Sequence, residues 1–266
     1  MSQIPLLLSG EKHRSAEIEI QSAADITIGM VQKKPPTRLI LKRKVKVDGF
    51  ANSVCCYENI TYVARSMKIA RVFPDWSVDK SFITCSGYIN SIKASKDTLF
   101  ILVQSEPQQI QVYDMCGKLI RKWNISVNCG NNGSRLAIMH NQLYALDAST
   151  QNVLLYSFDG CLLKTIHCDL ISTDDIRISF NGCGRTNLVV ASSTGTVFTL
   201  NHQTGQVIHT SRHRLRDTAV ASLDDHTVLL AGSSYFEITR PITVRMLDMK
   251  SGEFERGITS SITICT

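Results

Sequence analysis

The stretch Gln109–Trp123 reads QIQVYDMCGKLIRKW. Two runs rich in β-formers, IQVYD and KLIRKW, flank the turn Met115-Cys116-Gly117, which is the signature of a β-hairpin. The same pattern returns along the chain. NVLLYSFDG runs into CLLKTIHC, TVFTLNHQTG into QVIHTSRH, and ITVRMLDMKSG into EFERGIT. The turn glycines are Gly117, Gly160, Gly205 and Gly252, at spacings of 43, 45 and 47 residues. An earlier unit, KIARVFPD followed by KSFITC, carries Pro74-Asp75 where the others carry glycine. Glycine suits this position because a tight turn of this kind asks for a positive φ, which strains a residue with a Cβ.

Each hairpin is preceded by two more short runs. The first is half apolar: NSVCCYEN, INSIKASKD, SRLAIMHN, IRISFNG and TAVASLDD. The second is almost continuously apolar, as in TLFILVQS and NLVVASS. Four strands per unit, repeated about every 45 residues, predict an all-β fold, a β-propeller. One four-stranded sheet exposes two apolar faces and cannot bury both alone, whereas radial stacking buries each face on a neighbour. Continuously apolar second strands fit positions covered on both faces, and charged fourth strands fit outer edges.

Five four-stranded repeats are visible. Residues 1–44 read differently, as an N-terminal basic arm or a partial closing blade, with residues 45–266 as the propeller domain. The preferred arrangement has six blades, with ring closure by the termini: residues 1–44 combine with the C-terminal SSITICT.

Composition narrows the function classes. The chain has 266 residues, 43% of them hydrophobic, and a formal net charge of +6. No apolar run has the length of a membrane span, and the opening MSQIPLLLSGEKHR has too short an apolar core for a signal peptide. The expectation is a cytoplasmic protein without a membrane partner. Nine cysteines occur without any CxxC pair. A zinc ribbon or RING module needs such paired thiolates, so reduced thiols are expected, with no metal site and no cofactor.

The repeats VYDMCGKLIRKW, LYSFDGCLLKTI and LNHQTGQVIHT resemble NHL-type six-bladed propellers, found at the carboxyl end of tripartite-motif proteins. The likeness covers about residues 45–259. The Gly-His and Trp-Asp signatures of WD40 repeats and the double glycine of kelch repeats are missing. The resemblance implies binding of protein or RNA by the propeller face. It does not carry over ubiquitin-ligase activity, because the chain has no Cys/His spacing for a RING or a B-box.

Two basic segments are the candidate partner-binding sites. SRHRLRD places Arg212, His213, Arg214 and Arg216 in the link between one unit's fourth strand and the next unit's first. Arginines there can contact phosphate in a bidentate manner. The alternative is a solvated loop with an ion pair to Asp217 or Asp225. The second segment, Lys33 to Lys46, includes Lys33, Lys34, Lys42, Arg43 and Lys44 and no acid. It reads either as an alternating strand with solvated lysines or as a basic strip for phosphate or acidic protein.

No nucleophile triad or phosphate-cradling loop is present, so no catalytic residue is assigned. Asp147, Asp174 and Asp175 are the acids that a lactonase-like propeller enzyme would use, and each also reads as a turn former. Among the aromatics, Tyr88 and Tyr235 fall near connections, while Phe100, Tyr113, Tyr144, Tyr156, Phe158 and Phe198 fall within strands. The expected function is a non-catalytic interaction scaffold that binds a protein partner through its loop face. An RNA-binding propeller is the alternative, and a propeller enzyme a distant third.

Overall fold

The computed structural model describes residues 6–8, 14–17, 25–31, 39–46, 51–125, 135–147, 150–168, 178–183, 187–192, 195–212, 215–222, 226–234, 242–249, 251–254 and 258–259. Among them every regular element is a β-strand. The first four are β1 (Leu6–Leu8), β2 (Arg14–Glu17), β3 (Asp25–Val31) and β4 (Leu39–Lys46), which pair in that order. The five repeats follow as five sheets. The first holds β5 (Ala51–Tyr57), β6 (Ile60–Arg65), β7 (Lys68–Val72) and β8 (Val78–Thr84). The second holds β9 (Tyr88–Ser95), β10 (Thr98–Gln104), β11 (Gln109–Asp114) and β12 (Leu119–Asn124). The third holds β13 (Arg135–Met139), β14 (Gln142–Asp147), β15 (Asn152–Ser157) and β16 (Leu162–His167). The fourth holds β17 (Ile178–Cys183), β18 (Asn187–Ser192), β19 (Thr196–Asn201) and β20 (Val207–Arg212). The fifth holds β21 (Leu215–Ser222), β22 (Thr227–Ser234), β23 (Ile242–Asp248) and β24 (Ile258–Thr259).

Each sheet is an antiparallel meander in chain order, and the five repeats form the blades of a propeller ring. First strands pack side by side from blade to blade, β5 on β9, β9 on β13, β13 on β17 and β17 on β21. The first strands therefore surround the axis, and the fourth strands form the rim.

Every sheet draws its four strands from one continuous segment, and β24 pairs with β23 inside the fifth blade. The described strands of the N-terminal segment pair as a four-stranded meander, β1 with β2, β2 with β3 and β3 with β4. Residues 260–266 lie outside the described set.

The core lies between blades. Tyr62, Ala64 and Ile69 of the first blade meet Ile89, Leu99 and Ile101 of the second. The other face of the second blade, with Phe100, Leu102 and Val112, meets Leu136, Leu143 and Ala145 of the third. Strand alternation sends successive residues of β10 to opposite neighbours, which is why its run from Leu99 to Val103 is buried without interruption.

The tight turns follow local chemistry. Glu58-Asn59, Lys96-Asp97 and His140-Asn141 have positive φ at both positions. This is the two-residue hairpin whose twist matches the strands, and Asn or Asp tolerates it best. At the third-to-fourth turn Gly117, Gly160, Gly205 and Gly252 have φ of 86°, 92°, 74° and 72°. Asp114 completes the first of these: its carboxylate accepts from the Cys116 and Lys118 amides at 2.9 and 2.8 Å.

Candidate interaction face and central channel

The links between blades are fastened by a repeated backbone bond. In the first three blades the amide leaving the fourth strand donates to the carbonyl of the same blade's second-to-third turn. The pairs are Cys85 to Met67 at 2.8 Å, Ile125 to Gln108 at 2.9 Å and Cys168 to Gln151 at 2.8 Å. In the first blade a further bond, Ile89 N–H to Ser66 O at 2.7 Å, ties the turn to the next first strand. Gly87 passes against the Gln104 carbonyl with no room for a Cβ.

This frame holds two large apolar side chains in solvent. Met67 is 42% and Tyr88 44% exposed. Tyr88, the first residue of β9, is thus an accessible aromatic, as its place near a connection predicts. Phe100, Tyr113, Tyr144 and Tyr156 are buried and Phe158 and Phe198 partly buried, as core packing requires. Tyr235 lies outside the described residues.

Of the basic segments, Arg212 is the exposed last residue of β20. Arg216 is the second residue of β21, its backbone opposite Ser233. Lys42, Arg43 and Lys44 lie in β4, the strand at one edge of the N-terminal sheet. His213, Arg214, Lys33 and Lys34 lie outside the described residues, as do Asp174 and Asp175. No described contact brings the two segments together. Asp147 is a turn former: it is buried and accepts from the Thr150 amide at 3.4 Å and the Thr150 hydroxyl at 2.5 Å.

The axis carries a feature that strand alternation alone does not reveal. Lys93 sits in the middle of β9, and its ammonium donates to Asn181 Oδ1 on β17 at 3.1 Å. The bond skips β13 and joins first strands two blades apart. Lys93 is half-buried. Burial lowers its pKa to about 8, and the nearby Cys55 of β5 opposes this. Burial pushes the Cys55 thiol up to about 12. On β13, Arg135 donates to the Asn90 carbonyl at 3.1 Å, and burial lowers its pKa to about 10.

First strands are also clasped by serines. Ser53 Oγ accepts from Ile92 N–H and Ser91 Oγ from Leu136 N–H, both at 3.1 Å, and Asn52 Nδ2 donates to the Ile89 carbonyl at 3.0 Å. The recurring pairs Asn52-Ser53 and Asn90-Ser91 were the available sequence signal for this clasp. Among the described residues no group of three or more His, Cys, Asp or Glu could hold a metal ion. No described helix is long and apolar enough to cross a membrane.

The protein is a β-propeller. No family model matches the chain, and no curated protein matches its sequence. Solved structures match its fold. The WD40 β-propeller domain of Doa1 is 13% identical with a TM-score of 0.61, covering 97% of this chain and 82% of that one. A catalytically inactive H270A virginiamycin B lyase from Staphylococcus aureus, with quinupristin, is 8% identical with a TM-score of 0.63, covering 97% and 84%. A chain of a mitotic checkpoint complex is 12% identical with a TM-score of 0.56, covering 91% and 72%. The shared property at these identities is the fold, which hosts both binding modules and an enzyme.

Proposed function

We propose that this protein is a non-catalytic interaction scaffold, an NHL-like propeller in the cytoplasm that binds a protein partner through the link-bearing face. The observation that carries the reading is the Met67–Tyr88 pair. Both side chains are exposed although their backbones are held by the Cys85–Met67 and Ile89–Ser66 bonds. A rigid mount lowers the entropy lost on binding, and exposed tyrosine and methionine are enriched at protein interfaces. Structural likeness to a WD40 propeller and to a checkpoint-complex chain supports the class. Six free cysteines among the described residues suit a reducing compartment.

The test is quantitative capture from cytosol with the parent chain, with Met67→Ser/Tyr88→Ala, and with Leu162→Ser on the rim. The expected result is one or more partners lost roughly tenfold or more by the double substitution and retained by the rim variant. A partner set indifferent to the double substitution overturns the reading. Arg212, exposed where β20 leaves its blade, favours RNA as a second reading. RNA affinity that falls steeply with added salt, and less steeply in Arg212→Gln, would establish it.

A further inference from the structure

We propose that the outer edge of β12 is a docking site for an extended acidic segment of a protein partner, which pairs with β12 as a fifth strand of the second blade. The site goes beyond the link-face reading and shares no residue with it.

Three observations meet on this strand. Among the described residues β12 closes one side of its sheet and pairs with β11 alone, so its outer row of N–H and C=O groups has no strand beside it. Leu119, Ile120, Arg121 and Lys122 are all exposed, the two aliphatic residues at 42% and 45%. The segment Lys118–Asn124 reads KLIRKWN, with cations at Lys118, Arg121 and Lys122 and no acid. Two carboxylates touch this stretch, and both are engaged. Asp114 accepts from the Cys116 and Lys118 amides, and Asp159 accepts from Arg121. Lys118 and Lys122 form no ion pair among the described residues.

Lysines on an edge strand deter pairing with most other strands. A second copy laid along β12 would bring cations against cations, which is destabilising. A strand carrying glutamate or aspartate turns the same charges into an attraction. Its backbone bonds supply affinity, and its apolar residues meet Leu119 and Ile120. The next blade gives the contrast. β16 repeats the exposed pair as Leu162 and Leu163, but its lysine, Lys164, is held by the Gln203 carbonyl at 2.5 Å. Single-stranded nucleic acid fits β12 less well, because it needs exposed rings between the cations. The residues there are aliphatic, and the one ring of β12, the Trp123 indole, is half-buried beside Tyr156.

The test mixes the intact protein with a fluorescent, end-capped peptide of alternating valine and glutamate and reads its anisotropy. Hydrogen exchange along β12 is followed with the unlabelled peptide. The expected result is binding that weakens with added salt and that slows exchange of the outward β12 amides at least threefold. Two control peptides should bind roughly tenfold more weakly: alternating valine and lysine, and the glutamate peptide N-methylated at alternate backbone nitrogens. Lys118→Glu/Lys122→Glu should lose roughly tenfold or more, and Lys118→Arg/Lys122→Arg should keep the affinity. Leu162→Ser and Met67→Ser/Tyr88→Ala should leave it unchanged. Slowed exchange in the parent chain requires no variant to fold. Unslowed β12 amides, or equal affinity for the lysine peptide or in Lys118→Glu/Lys122→Glu, overturn the proposal. Slowing by oligouridylate, by phosphatidylserine vesicles or by self-association, without slowing by the peptide, overturns it in favour of nucleic acid, lipid or a second copy. Each result is separable from the link-face reading, which depends on Met67 and Tyr88.

Discussion

The indole of Trp123, near the end of β12, lies against Gly160 in the turn of the next blade. A Cβ on Gly160 would stand 2.8 Å from Trp123 Cδ2 and Cε3. The same contact recurs around the rim. Gly117 faces the Phe82 ring at 3.0 Å, Gly205 the His167 carbonyl at 2.7 Å, and Gly252 the His209 ring at 3.3 Å. The repeat glycine thus has two duties, a positive φ within its own blade and a close approach to the preceding one.

These duties separate by mutation. Gly160→Ala and Gly252→Ala both force a Cβ onto a positive φ, but the first brings it to 2.8 Å of the Trp123 indole and the second only to 3.3 Å of the His209 ring. Gly160→Ala is expected to cost about 2–4 kcal/mol and Gly252→Ala about 1–2 kcal/mol. Urea denaturation measures both. Adding Trp123→Ala should shrink the Gly160→Ala penalty toward the smaller value, and equal penalties throughout would refute the inter-blade duty.

The serine clasp makes a second prediction. Ser91 is fully buried, and its hydroxyl accepts the Leu136 amide from the neighbouring blade. Ser91→Ala leaves that amide without its acceptor, at about 1–3 kcal/mol. Ser77, whose hydroxyl donates to Asp75 in an exposed turn, should cost under about 0.5 kcal/mol when replaced by alanine. Hydrogen exchange at the Leu136 amide should accelerate in Ser91→Ala. An unchanged amide would count against the clasp.

Thiol chemistry should sort the cysteines by burial. Cys116 and Cys161 are exposed and are expected to react with a disulfide reagent in the folded state. Burial raises Cys55 to about 12 and Cys85 to about 11 from 9.0, so neither presents thiolate at pH 8 until the chain unfolds. Folded values above unfolded ones mean their stabilisation is complete below pH 9 and is lost as pH rises toward 11–12. Cys55→Ala should therefore flatten the alkaline loss of stability. Labelling of Cys55 as fast as Cys116 would contradict the packing.

Lys93 works in the opposite sense. Its folded value, about 8, lies below its ordinary 10.5. Below pH 8 the chain bears the full cost of the enclosed charge. Between about 8 and 10.5 the folded state releases its proton first, so this site's contribution to stability rises with pH. Lys93→Met is expected to raise the melting temperature most below pH 8, with the advantage fading toward pH 10. A constant advantage from pH 7 to 10 would mean that the ammonium is not enclosed.

Much of the blade was legible because its determinants are local. The turn glycines, the Asp114 carboxylate and the Asn or Asp of the two-residue hairpins act within a few residues of where they stand. Alternation also placed Tyr113 and Tyr144 in the core and left Tyr88 in a connection. The Asn52-Ser53 and Asn90-Ser91 recurrence was visible but had no evident duty, because both acceptor and donor lie on another blade. Lys93 in INSIKASKD carried no signal of its own, since period-two alternation does not say which face of a first strand looks onto the axis.

The sequence by itself determined the repeat, the four-stranded meander and the turn conformations, because each rests on backbone preferences and apolar patterning inside about 45 residues. The tertiary structure alone decided that an indole abuts Gly160 and that Lys93 meets Asn181, 88 residues away. Such contacts depend on the angle at which one blade packs on the next, which arises from the summed packing of whole faces and has no local code.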